Sequence, residues 1–143
     1  MDNKERLTQN LLAEERPEVI ENLHNGQGTV HYNHNIKEVL VKEGEGGSLE
    51  IVSDQAEATG RRFQYDSLRV EYPTTRNNIL ATLLNAKYDA NTENKLRNDY
   101  EAAKLGILDA SLQQPYIDFL NDRKALKEQV EADCEPLNIP NSL

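Results

Sequence analysis

The side chains able to do chemistry are few. Histidine occurs at positions 24, 31 and 34, and cysteine once, as Cys134. The run His31-Tyr32-Asn33-His34 looks metal-like. On a regular strand, however, residues three apart point to opposite faces. His31 and His34 therefore cannot close on one ion without a bulge, and they stand as weak metal candidates only. A single cysteine excludes an internal disulfide and a cysteine-based zinc cage. Cys134 falls at an apolar helical position with no histidine beside it, so it reads as a small buried hydrophobe rather than a nucleophile. The chain has 25 carboxylate side chains, but acid–base work needs a pocket that shifts their pKa values, and no pair stands out. Asp66, between Tyr65 and Arg69, is the most interesting acid. Its expected task is a turn or a salt bridge with Arg69 or Arg61. Arg61–Arg62 could hold an anion, but acidic residues surround them. Gly44-Glu45-Gly46-Gly47 is no phosphate loop, because no Lys-Ser/Thr follows and no helix begins there. The sequence thus contains no catalytic constellation. No metal, no cofactor and no enzyme activity are expected.

The elements that would position these residues are an α+β set. Residues 1–28 predict an N-terminal helical arm. Leu7, Leu11 and Leu12 stand at helical spacing, and Pro17 suits the first turn of a second short helix carrying Val19, Ile20 and Leu23. Asn25, Gly26 and Gly28 tolerate positive φ and would end it. From Thr29 the period becomes two. Residues 29–73 predict an antiparallel β-hairpin or three-stranded meander built on Val30, Tyr32, Ile36, Val39 and Val41, then Phe63, Tyr65, Leu68, Val70 and Tyr72. Leu49, Ile51 and Val52 could supply the third strand. The parity switches between Tyr65 and Leu68, which places a β-bulge or break at Asp66–Ser67.

Residues 74–135 predict a three-helix unit. Thr74 or Thr75 caps the first helix, and Ile79, Leu80, Leu83 and Leu84 form its apolar face. Asn91 or Thr92 opens the second, with Leu96, Tyr100 and Ala103 inward and Gly106 closing it. Ser111 and Gln114 resemble a capping box before the third, where Leu112, Tyr116, Phe119, Leu120, Leu126, Val130 and Cys134 keep a 3-and-4 spacing. Residues 29–135 read as one domain, and Pro136 and Pro140 leave 136–143 as a frayed tail.

The chain has 143 residues with 37% apolar content and a mean hydropathy of −0.77, so its core is thin. Its net charge is −9, spread evenly: segments 1–28, 29–73 and 74–143 each carry a net −3. Such a surface promotes solubility and repels phosphate backbones, so no nucleic-acid partner is expected. No apolar run approaches the roughly 20 residues that span a bilayer, and no secretory signal pattern opens the chain. No membrane partner is expected, and the predicted location is the cytoplasm.

The runs YDSLRVEYPTTRNNI, AKYDANTENKLRNDYEAAKLGILD and YIDFLNDRKALKEQVEADC, over residues 65–134, resemble a family of small uncharacterised proteins of phages and prophages in Bacteroides-like bacteria. The resemblance lies in core and capping residues. It implies a phage-related setting, near tail or baseplate genes, inside a bacterial host or associated with the virion. It transfers no active site.

The leading expectation is a non-enzymatic protein-interaction or assembly module. Its partner would be a second copy in a homo-oligomer or another phage-encoded protein. Tyrosine is favoured at protein contacts because it is amphipathic. Tyr32, Tyr65 and Tyr72 on the sheet, with Leu7 and Leu11 on the arm, are therefore the predicted interaction residues. Two alternatives come from other classes. One is a small ligand-binding or enzymatic domain with a pocket near the hairpin, holding Asp66, Arg69 and a histidine. The other is an acidic nucleic-acid mimic, which needs a regular row of carboxylates.

Overall fold

A computed structural model describes residues 2–143. The chain forms two compact units, residues 7–72 and residues 2–6 with 73–143. The boundary falls at Pro73, whose ring removes a ladder donor and cannot continue a strand.

The first unit is an antiparallel sheet of five strands. They are β1 (Leu7–Ala13), β2 (Ile20–Asn22), β3 (Val30–Glu43), β4 (Leu49–Val52) and β5 (Gly60–Val70). The order is β1-β5-β3-β2, and β4 pairs with the far end of β3. Val30 stands opposite Val70 and Tyr32 opposite Leu68, with Ile20 next to Tyr32 on the other side. Val30, Tyr32, Leu68 and Val70 are all buried, as cross-strand partners on one sheet face must be together.

The helical arm predicted for 1–28 is absent among the described residues. Only Asn3–Arg6 makes a short 3-10 turn. Leu7–Ala13 is an edge strand on β5, and Ile20–Asn22 pairs with β3. The physical reason lies in a bulge. Leu7 faces Leu68, Leu12 faces Gln64, and two residues of β1, Gln9 and Asn10, stand against one of β5. A strand with an extra residue breaks period two and leaves its leucines at a helix-like spacing. A helix this short is marginal in water, whereas β5 offers an open row of backbone partners. The glycines at 26 and 28 close the β2–β3 hairpin instead of ending a helix. Leu23 N–H donates to Thr29 O at 3.2 Å, and Gly28 sits at φ +75 against Tyr72.

The second unit holds α1 (Arg76–Lys87), α2 (Ala90–Lys104) and α3 (Gln114–Cys134). Thr75 Oγ1 accepts from Asn78 N–H at 3.2 Å and caps α1. Asp89, rather than Asn91 or Thr92, caps α2, accepting from Thr92 N–H at 2.7 Å. That bond holds the Asp89 carboxyl below its ordinary pKa. The predicted Ser111–Gln114 capping box gives way to a 3-10 turn over Ala110–Gln113, capped by Asp109 through Ser111 N–H at 2.9 Å. Ile79 and Leu83 are fully buried on α1, as are Val130 and Cys134 on α3, where Phe119 and Leu126 are also buried. Tyr88 packs edge-on against Phe119 with centroids 4.8 Å apart, and Tyr100 meets Tyr116 at 5.2 Å. The tail is not frayed as far as Asn141. Arg76 N–H donates to Pro140 O at 2.9 Å, Arg76 Nε to Ile139 O at 2.6 Å, and Asn77 N–H to Asn141 O at 3.2 Å. The first-turn donors of α1 need acceptors, and the tail supplies them.

Candidate functional site

Several exposed aliphatic side chains of the helical unit fall, in sequence, where α2 turns into α3. The turn is built by local rules. Gly106, at φ +78, follows the C-cap Leu105. Gly106 N–H donates to Ala103 O at 3.1 Å and Ile107 N–H to Ala102 O at 2.9 Å. These two bonds define a Schellman closure, in which the residue after the glycine normally packs back on the helix. Here that residue, Ile107, is 74% exposed, and Leu105 beside it is 75% exposed. Leu108 at 40%, Ile117 at 38% and Leu120 at 42% complete the group. Ile117 and Leu120 stand one turn apart on α3, on the line that further along carries Lys124, Lys127 and Glu131. The charges flanking the aliphatics in sequence are of both signs. Glu101, Asp109, Asp118 and Asp122 stand with Lys104, Arg123 and Lys124, and the Lys104 ammonium lies 5.5 Å from the Tyr100 ring centroid. Behind the surface, the tyrosine contacts of α2 and α3 and the bond of Tyr88 Oη to Asp122 Oδ2 at 2.5 Å hold the helices in place.

The residues predicted to do chemistry are scattered. His31 Nδ1 lies 3.3 Å from Glu21 Oε1. His34, on the opposite face, is buried and stacks on Tyr32 with centroids 4.5 Å apart. Among the described residues no group of three or more His, Cys, Asp or Glu could hold a metal ion. Cys134 is fully buried, and that burial raises its thiol pKa. Arg61 pairs with Glu38 at 2.8 Å and Arg69 with Glu71 at 2.9 Å.

Asp66 has a different task from the salt bridge predicted. Its Oδ1 accepts Asn10 N–H from β1 at 3.0 Å, and its Oδ2 accepts Asn35 Nδ2 from β3 at 2.8 Å. The bulge predicted within β5 lies instead on both flanking strands, between Thr8 and Leu11 and between His34 and Lys37. β5 runs through, and the parity switch marks a change of face: Phe63 and Tyr65 point to one side, Leu68 and Val70 to the other. One carboxylate thus ties the two bulged strands, where Asn10 and Asn35 take φ of 60° and 52°. A cleft of about 490 Å³ lies here, lined by Asn10, Asn35, Ile36, Lys37, Gln64 and Asp66. Neither Arg69 nor a histidine lines it.

No family model, curated protein or solved structure matches this chain.

Of the predicted interaction residues, Tyr32 is fully buried and unable to meet a partner, because strand parity turns it to the core beside Leu68. Leu7, Leu11 and Tyr65 are half-buried within the β1–β5 pairing. Tyr72 is 64% exposed, with its ring against Gly28. The hairpin-end aliphatics were not predicted as a surface, and Leu120 was assigned to the core. A signal for them exists. Leu105, Ile107 and Leu108 crowd a helix-ending glycine outside any periodic stripe, and Ile117 falls off the Tyr116–Phe119 stripe.

Proposed function

We propose that this chain is a non-enzymatic protein-interaction and assembly module that docks its partner on the α2–α3 end. The observation that carries this reading is the exposure of Leu105, Ile107, Leu108, Ile117 and Leu120 within 16 residues of chain. Leu105 and Ile107 are about three-quarters exposed, and the other three are about two-fifths exposed. Aliphatic side chains left in water gain by burial against a second surface, as at the apolar core of an interface. All five side chains lie within the runs that resemble the phage and prophage family, so a phage-related setting belongs to the same proposal. A second, smaller reading rests on the cleft at Asp66. Its lining of three amides, one carboxylate, one ammonium and Ile36 suits a small, mainly polar ligand.

The test is retention of a partner. The tagged protein and a Leu105→Ser/Ile107→Ser/Ile117→Ser variant are used to capture proteins from cells of the source organism. In parallel, light scattering over a concentration series reads self-association. A saturable partner, or an oligomer, that the variant loses while keeping its circular dichroism supports the proposal. A wild-type monomer with no saturable partner refutes it.

A further inference from the structure

We infer that the cleft at Asp66 binds a small zwitterion of the amino-acid class, with its ammonium on Asp66 and its carboxylate on Lys37. The inference rests on the small-ligand reading of that cleft and is independent of the docking reading of the α2–α3 end. Shape is the first argument. The registers of β1 and β3 shift between Thr8 and Leu11 and between His34 and Lys37, on opposite sides of β5. Bulges bend the strands that carry them and re-aim their side chains, so two bulges facing each other across one strand interrupt the pleated surface. Asn10, Asn35 and Ile36 belong to the bulges, Lys37 follows the second, and Gln64 and Asp66 come from the strand between. Together they line a space of about 490 Å³, within the roughly 300–1,000 Å³ of small-molecule pockets. Charge is the second argument. Asp66 accepts from two neutral donors, Asn10 N–H at 3.0 Å and Asn35 Nδ2 at 2.8 Å, which fix the carboxylate without cancelling its charge. Among the described residues the Lys37 side chain has no hydrogen bond or ion pair. The cleft therefore holds one charge of each sign, and the two are not paired with each other. The next charges along these strands are matched elsewhere, Glu38 with Arg61 at 2.8 Å and Arg62 with Glu14 at 4.0 Å. His34, opposite Asp66, is buried, and its Nδ1 lies 3.1 Å from Tyr32 O. Complementarity is the third argument. A simple anion meets Asp66, a simple cation meets Lys37, and a neutral polyol uses neither charge; a ligand with both signs matches both. Gln64 adds an amide with donor and acceptor capacity for a polar side chain on that ligand.

The probes are the common free amino acids, added one at a time to isotope-labelled protein and followed through the backbone amide resonances. Expected is saturable one-to-one binding of at least one of them, with shifts centred on Asn10, Asn35, Gln64 and Asp66. The carboxamide and the N-acetyl derivative of that amino acid each lack one charge, and each should bind about fivefold more weakly. Lys37→Gln should weaken the parent amino acid about fivefold and bind the carboxamide as the wild type does, because both changes remove the same contact. Asp66→Asn keeps an oxygen for Asn10 N–H and should erase the preference for the free amine over the N-acetyl form. If Asp66→Asn loses its fold, Lys37→Gln carries the test by itself. Undiminished binding of either derivative, or of the amino acid to Lys37→Gln, overturns the inference, as do shifts centred outside the cleft. Binding of glucose, the neutral polar control, without binding of any amino acid also overturns it, while the small-ligand reading of the cleft stands. Silence of the cleft amides to every probe, glucose included, overturns both.

Discussion

Replacing Asp66 by alanine should loosen β1 and β3 together. The carboxylate accepts Asn10 N–H at 3.0 Å and Asn35 Nδ2 at 2.8 Å, from strands on opposite sides of β5. A hydrogen bond to a charged group contributes about 1.5–3 kcal/mol when buried. Both partners here are exposed, so solvent screening and replacement by water lower each bond to about 0.5–1 kcal/mol. Together the loss is about 1–2 kcal/mol, a five- to thirtyfold rise in local opening. Amide hydrogen exchange read by mass spectrometry resolves it. Peptides covering 7–13 and 30–43 should exchange five to thirty times faster in Asp66→Ala, while those covering α1 and α2 keep their wild-type rates. Two companion variants isolate the backbone term. Asn10 sits at φ 60° and gives the carboxylate its main-chain N–H, so Asn10→Gly should be neutral within about 0.5 kcal/mol. Asn10→Val should cost about 1–2 kcal/mol, the penalty for a β-branched residue in the left-handed region. A change below twofold in both strands of Asp66→Ala, or equal acceleration in the helices, would refute the claim that this one side chain clamps the two bulges.

Three further outcomes follow from the helical unit. Burial, and then Asp122, push the Tyr88 phenol from 10.0 up to about 12. The folded state therefore holds that proton where the unfolded state releases it, and stability falls as pH rises from 10 through 12. Tyr88→Phe should lower the melting temperature near neutral pH and show a smaller alkaline loss than wild type; parallel alkaline curves would contradict this. The Cys134 thiol is buried and its pKa raised, so a thiol reagent should label it slowly in the native protein and fully in guanidinium; fast native labelling would place the thiol at the surface. Arg76→Gln removes the 2.6 Å bond to Ile139 O and the 2.9 Å pair with Glu135. It should cost about 1–2 kcal/mol and speed carboxypeptidase trimming beyond Ile139, measured by intact mass; unchanged trimming would show that the tail is held by other groups.

Much of the helical unit was legible because its determinants are local. Helix bonds join residues four apart, so the stripe through Phe119, Leu126, Val130 and Cys134 and the stop at Gly106 can be read in one pass along the chain. The same holds for Thr75, whose cap is completed three residues later. β3 and β5 were also readable, since alternation signals a strand wherever its partner lies. The N-terminal strands were not. Leu7 finds its partner at Leu68, and the bulge at Gln9–Asn10 gave the segment a helix-like spacing. Nothing local distinguishes that spacing from a true helical stripe.

By itself, then, the sequence determined the α+β class, the three helices and the central strands. The tertiary structure decided which residues face outward. It sank Tyr32 into the core and left Leu105, Ile107 and Leu120 in the open. It also turned Asp66 from an expected salt-bridge partner into the clamp of two strands. Secondary structure follows from bonds between near neighbours, whereas exposure depends on what distant segments cover, and no window of adjacent residues contains that information.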